Sequence, residues 1–262
     1  MQDEREEARR RMSSVALVTG GSKRIGRAIV ERLAGAGYAI ALHFNQSMED
    51  AEKLAGELRA GGGRVALVQA DLADPGAVAT LMERAHVALG PVTLLVNNAS
   101  EFERDEVETL ELARWQRHFA INLQAPVFLA RDMARLLPET AKGSIVNIVD
   151  QRVLKLTPQF FSYTLTKSAL FTATRTMAQA LAPRIRVNAI GPGPTFSNPR
   201  QAPEDFAKQS TSCLLGRGPS PQELADAVLF LARAESVTGQ MIAVDGGQHL
   251  AWETADVVGL EE

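Results

Sequence analysis

The sequence predicts a doubly wound α/β fold, a sheet of about seven parallel strands with helices on both faces. Three observations carry this expectation. Short β-branched apolar runs alternate with longer segments of helical periodicity, a glycine-rich turn follows the first run, and no Pro/Ser/Gly-rich linker breaks the alternation. Strands alternating with helices build βαβ units, and right-handed crossovers place those helices on both sides of a parallel sheet.

Taken in order, strands are expected at Val15–Thr19, Tyr38–Phe44, Arg64–Ala70, Thr93–Val96, Gly143–Val149, Arg184–Ile190 and Gln240–Val244. Helical patterns fall between them at 25–36, 48–60, 75–89, 108–137, 161–182 and 221–233. These elements account for nearly all of the 262 residues, so 13–262 is read as one domain. Residues 1–12 are dominated by Glu, Asp and Arg and lack an apolar signal core; they read as a flexible tail or a short exposed helix, with Met12 an alternative start. One irregular stretch, Gly191 to Pro221, carries Pro192, Pro194, Pro199, Pro203 and Pro219, with a helix-like piece only at 203–210. Because it follows the carboxyl end of a strand, 193–221 reads as a substrate loop or lid.

Composition removes several classes of function. Hydrophobic content of 45%, charged content of 23% and a net charge of -3 are ordinary for a globular protein and give no footprint for nucleic acid or an anionic membrane. No apolar run approaches the ~20 residues that span a bilayer, and the single cysteine, Cys213, fits a reducing compartment, so a cytoplasmic location is expected. His43, His86, His118 and His249 are scattered without ligand spacing, so no metal is expected. The acidic run Glu101, Glu103, Asp105, Glu106 and Glu108 reads as a solvated face.

The turn after the first strand reads Thr19-Gly20-Gly21-Ser22-Lys23-Arg24-Ile25-Gly26 and opens a helix. Glycines there permit a tight turn and let the backbone approach a pyrophosphate, whose charge meets the helix N-terminus. Lys23 and Arg24 add cationic donors beside that place, and Arg24 can fork to phosphate or to a planar polar ligand. The second strand ends His43-Phe44-Asn45-Gln46-Ser47, with no acid before Glu49. Neutral donors in place of a carboxylate favour a 2′-phosphate, hence NADP(H) over NAD. Asp71 either accepts from an adenine amino group or caps the following turn, a task Asp74 can also perform.

Further along, Tyr163 and Lys167 lie four apart, on one helical face, with Asp150 thirteen residues before the tyrosine. A phenol with a pKa of about 10 is a poor acid at neutral pH, and a nearby ammonium would bring it towards a usable range. Asp150 either joins that chemistry or merely bonds backbone or Arg152.

Together these pieces resemble the short-chain dehydrogenase/reductase family. The matching residues are Thr19-Gly20…Ile25-Gly26, Asn97-Asn98-Ala99, Asn122, Asp150…Tyr163…Lys167 and Gly191-Pro192-Gly193, in the family's order over 13–250. The resemblance implies a Rossmann-type fold, a nicotinamide cofactor and a homotetramer. It also implies that Tyr163 is the proton donor or acceptor, that Lys167 binds the nicotinamide ribose and lowers the tyrosine pKa, and that Asn122 anchors a relay water. On the same ground Asp71 and Leu72, Asn98, Ala99 and Ser100 fall beside the adenosine half, while Pro192, Gly193 and Thr195 lie near the nicotinamide and pyrophosphate.

Departures from the common pattern narrow the reading. Asp150 replaces the family's usual serine, Arg24 replaces a glycine, and Ser100-Glu101-Phe102 replaces another. This set is similar to the pteridine reductase branch, including dihydromonapterin/dihydrofolate reductase-like proteins, in which the arginine touches phosphate and pterin and the phenylalanine stacks on the pterin. A flat polar bicycle would suit the face of Phe102, the planar cation of Arg24 and the hydroxyl of Ser100. A carboxylate opposes a developing oxyanion, where a neutral donor is wanted, so Asp150 favours C=N over C=O reduction. The expected function is NADPH-dependent reduction of a pterin- or folate-like C=N bond. The alternatives are a carbonyl reductase or alcohol dehydrogenase of the same family and, in a different class, a non-catalytic NADP-binding sensor.

Overall fold

The computed structural model describes residues 14–197 and 201–253; the tail expected over 1–12 lies outside the described residues, as do 198–200 of the expected lid. Seven strands pair in parallel in the order β3-β2-β1-β4-β5-β6-β7. They are β1 (Val15–Val18), β2 (Ala39–Phe44), β3 (Val65–Gln69), β4 (Val92–Asn97), β5 (Gly143–Ile148), β6 (Ile185–Pro192) and β7 (Met241–Val244). The chain winds outward from β1 to β3, then resumes on the other side of β1 with β4. Connections diverge at that switch point, which opens a crevice outside the strand carboxyl ends. Register aligns Val18 with Val96, Asn97 with Asn147, Ile148 with Ile190 and Pro192 with Val244. The residues that follow these strands therefore emerge along one edge.

Period-two alternation divides the core. Ala16, Val18, Ile40, Leu42 and Val96 pack beneath α1 (Arg24–Gly35), α2 (Met48–Ala60) and α8 (Pro221–Arg233). Val15, Leu17, Ala41, Leu95 and Val187 face α3 (Pro75–Leu89), α5 (Ala125–Leu136) and α6 (Phe161–Leu181). A strand sandwiched this way needs apolar residues on both faces, which explains why its sequence runs apolar without alternation.

The helical pattern expected over 108–137 is not one helix. A 3₁₀ turn at Val107–Thr109 precedes α4 (Leu112–Phe119), a π-turn spans Ala120–Gln124, and α5 follows. Pro126 has no N–H to give the carbonyl four residues back, and Ala125 N bonds Ala120 O instead. The expected lid carries α7 (Pro203–Thr211), which starts on its proline.

Candidate active site

The glycine turn is held open by its neighbours. A Cβ on Gly26 would fall 2.0 Å from the carbonyl of Gly20, and Gly20 itself has φ +62. Thr19 Oγ1 accepts from Asn98 N at 2.9 Å and Ala99 N at 3.0 Å, while Asn98 Nδ2 donates to the carbonyls of Thr19 and Gly20. The Asn98 amide group thus clamps the turn. Ser22 and Gly26 are buried under the turn. Lys23 leaves it, pairing with Asp50 at 2.7 Å on the surface. Arg24 sits at φ 52, a left-handed conformation rare outside glycine. Its guanidinium donates to Ser197 O at 3.2 Å and lies 5.1 Å from the Phe196 ring, crossing the crevice to the lid side.

His43 departs from its expected role. Its ring is 2% exposed, Nδ1 accepts from Gly20 N at 3.0 Å, and Nε2 bonds Ala70 O at 3.1 Å. Burial lowers its pKa to about 4, so it stays neutral and shapes the turn instead of meeting a phosphate. Asn45, Gln46 and Ser47 do reach the surface, and Ser47 stands at the start of α2 with its hydroxyl unused as a cap. Asp71 accepts from Ala73 N at 2.9 Å, and Asp74 caps α3 through Gly76 N. The turn-forming alternative for Asp71 is therefore present in the structure. Leu72 is 6% exposed and packs with Val78 and Leu81, which leaves only its backbone for a ligand.

At the ends of β4 and β5 the chemistry-bearing residues converge. Tyr163 Oη donates to Asp150 Oδ2 at 2.8 Å, and Asp150 Oδ1 takes Arg152 N at 2.8 Å. The backbone-bonding alternative thus accounts for one oxygen and leaves the other to the phenol. Lys167 is 2% exposed; its Nζ donates to Ile148 O at 2.9 Å and lies 5.6 Å from the Tyr163 ring centroid. Asn122, on the π-turn, accepts from Ser100 Oγ at 3.1 Å and Glu101 N at 2.8 Å, and donates to Glu101 O at 2.9 Å. Its side chain secures the 100–101 segment beside the tyrosine.

Electrostatics correct one expectation. Burial, and next the Asp150 charge, push the Tyr163 phenol well above its usual value of 10, the reverse of the lowering expected from Lys167. Burial also raises the Asp150 carboxyl and lowers the Lys167 ammonium to about 8. The phenol is too deeply buried to ionise near neutral pH, whereas the ammonium keeps its proton until about pH 8, and their 5.6 Å contact does not offset the cost to the phenol. What results is a neutral phenol bonded to a coupled, reluctant carboxylate.

Phe102 stands 4.7 Å from Tyr163, edge on, and stacks on Phe160 at 4.2 Å with 6° between the planes. Phe160, the N-cap of α6 at φ 57 and ψ 48, carries no sequence signal for this position. Arg152 Cζ lies 4.9 Å from its ring. Asp105 corrects the solvated acidic face: it is 2% exposed and bonds Ser162. Across the crevice, a Cβ on Gly193 would meet Asp245 Cα at 2.6 Å, Pro192 closes β6, and Thr195 Oγ1 donates to Gly193 O at 3.0 Å. Among the described residues, no group of three or more His, Cys, Asp or Glu side chains is placed to hold a metal ion.

A glycine turn at the switch point facing a Tyr-Lys pair invites comparison with known reductases, and the family model described as enoyl-(acyl carrier protein) reductase matches residues 20–249. This chain belongs to the short-chain dehydrogenase/reductase family. Among solved members, FolM alternative dihydrofolate reductase 1 of Brucella suis, in complex with NADP, is 54% identical; the match covers 94% of this chain and 99% of that one, with a TM-score of 0.92. Pteridine reductase 1 of Leishmania tarentolae is 34% identical over 281 residues, 90% of this chain and 96% of that protein. The 3-oxoacyl-[acyl-carrier-protein] reductase FabG of Staphylococcus aureus is 31% identical over 245 residues, 92% of this chain and all of that protein. The pteridine reductase resemblance read from the sequence agrees with the first two short-chain relatives.

Proposed function

We propose that this chain is an NADPH-dependent reductase of a pterin- or folate-like C=N bond, of the dihydropterin-to-tetrahydropterin type. The observation that carries the reading is the 2.8 Å bond from Tyr163 to Asp150, with the Phe102 ring 4.7 Å from the tyrosine ring. A ketone reductase needs a neutral donor opposite the tyrosine, whereas a ring nitrogen needs a proton source. The relatives from Brucella suis and Leishmania tarentolae support the same substrate class.

The chain's residues fit the cofactor. Gly20, Gly26 and Gly193 sit so close to Ala99, the Gly20 carbonyl and Asp245 that a Cβ would collide, which keeps the turn tight and its backbone open to a pyrophosphate. Asn45, Gln46 and the free hydroxyl of Ser47 present no carboxylate to a 2′-phosphate. When bound, NADPH supplies the hydride. Tyr163 then holds the proton destined for the substrate, and Asp150 shares and replenishes it. Lys167 donates towards the ribose hydroxyls while tethered to Ile148 O. Asn122 uses all four of its side-chain bonds to hold the Ser100 segment and Thr166, so a relay water would be seated by the backbone of its π-turn. Phe102 fixes the plane of the bicycle and so the reacting distance. Exposed Leu112 and Phe128 on α4 and α5 suit assembly as a homotetramer, and no described helix is long and apolar enough to cross a membrane.

NADPH oxidation with 7,8-dihydromonapterin, dihydrobiopterin and dihydrofolate, run beside a panel of ketones and 3-oxoacyl thioesters, tests the reading. Turnover of the dihydropterins is expected. Turnover of carbonyl substrates alone would replace it with a carbonyl reductase, and tight NADPH binding without any turnover would replace it with a sensor.

A further inference from the structure

The segment carrying Phe102 is fastened by three buried polar side chains that the chemistry above leaves unused. Asp105 is 2% exposed, and His118 and Ser162 are wholly buried. Ser162 N donates to Asp105 Oδ1 at 3.1 Å, and the Ser162 hydroxyl donates to Asp105 Oδ2. His118 Nδ1 lies 2.6 Å from Ser162 Oγ, and Glu103 N donates to His118 Nε2 at 3.2 Å. Both carboxylate oxygens accept, so the serine proton is committed to Asp105 and its oxygen takes the Nδ1 proton. The far ring nitrogen is then a bare acceptor for Glu103 N–H. Each role forces the next, and the chain of donors runs one way only.

Three elements meet there. Asp105 lies three residues after Phe102, Ser162 directly precedes Tyr163, and His118 lies on α4, four residues before Asn122. The N-terminus of α6 has no side-chain cap of its own at Phe160. Asp105 supplies one from outside, receiving Ser162 N on its carboxylate and Phe161 N on its carbonyl at 3.2 Å.

We propose that Asp105, Ser162 and His118 are positioning residues that set the Phe102 ring against Tyr163 through this one-way donor chain. The proposal deepens the reductase reading and rests on it. The chain works with a single tautomer of His118, protonated at Nδ1. A second proton on Nε2 would confront Glu103 N–H with another donor, and the strap between residues 101 and 105 would lose that bond. The groups facing the ring are Asp105, Glu101 and Glu103 from the strap, Arg114 from its own helix and the Tyr163 ring at 6.3 Å. Burial outweighs the acids and holds His118 below its ordinary 6.5, which keeps the chain intact at neutral pH.

Steady-state kinetics on the full chain test this, with KM for the dihydropterin, NADPH affinity and melting temperature measured together across pH. Ser162→Ala and Asp105→Asn are expected to raise the dihydropterin KM by at least about tenfold through a misplaced ring, with NADPH affinity unchanged. Wild type should show the same rise in KM at acid pH, and His118→Gln, which cannot titrate, should lack it. An unchanged KM, an acid limb retained in His118→Gln, or dihydropterin KM and NADPH affinity worsening in step would overturn the proposal. If a variant does not fold, ¹⁵N spectroscopy of the wild-type histidine rings decides: a neutral Nδ1–H ring is expected, and an Nε2–H or charged ring at neutral pH sinks the idea. That readout needs no substrate. A wild type that reduces only ketones would thus remove the pterin reading without deciding the donor chain.

Discussion

Asp150 occupies a place where its charge would repel an oxyanion, and the phenol beside it is neutral. Replacing it separates the two chemistries. Asp150→Asn is expected to cut dihydropterin reduction by about 10²–10⁴-fold, the range of a lost general acid, as read by NADPH oxidation. Because burial raises the Asp150 carboxyl, the wild-type rate should fall as pH rises through that raised value, and the asparagine variant should lose this limb. The proximity of Tyr163 and Lys167 was legible from spacing alone, since they sit one helical turn apart. The electrostatics of the pair were not. Spacing placed an ammonium near a phenol, but only burial shows that the phenol is pushed up and the ammonium down. The same limit hid His43 and Asp105: a polar residue at a strand end or in an acidic run looks solvated until Gly20 N or Ser162 is found against it.

Thr19 joins β1 to the loop after β4, since its hydroxyl oxygen accepts both Asn98 N and Ala99 N. Thr19→Val keeps the shape and strands two donors. It should cost about 1–3 kcal/mol in urea unfolding and weaken NADPH binding more than substrate binding. Strands and most helices were readable because apolar runs of this length have one way to be buried on both faces. The exception, 108–137, is instructive. Its hydrophobic period continues through the π-turn, and Pro126 was the one local sign that the hydrogen-bond pattern had to shift. Phe160 left no sign at all, because a left-handed phenylalanine is fixed by its stacking on Phe102 rather than by local preference.

For the molecule as a whole, the buried Lys167 sets a pH dependence of stability. Its native value is about 8 against an ordinary 10.5, so above pH 8 the unfolded chain holds a proton that the native state has released. Stability should therefore rise with pH from about 8, by up to roughly 3 kcal/mol for the full shift. Tyr163 limits the window, because its native value is raised and stability is lost again once the unfolded phenol ionises near 10. Lys167→Met should be inactive, more stable than wild type at neutral pH, and flat across the window in urea unfolding. A rise that persists in this variant would assign the effect elsewhere.

The reach of Arg24 to Ser197 O and the Phe196 ring has a thermodynamic consequence for the crevice it crosses. The guanidinium has a carbonyl acceptor and an aromatic neighbour within the chain. An incoming anion therefore substitutes for a resident partner, and its net contribution is only the difference between a charged and a neutral acceptor. Arg24 thus ties the glycine turn to residues 196–197 of the lid segment, so removing its guanidinium should loosen both at once.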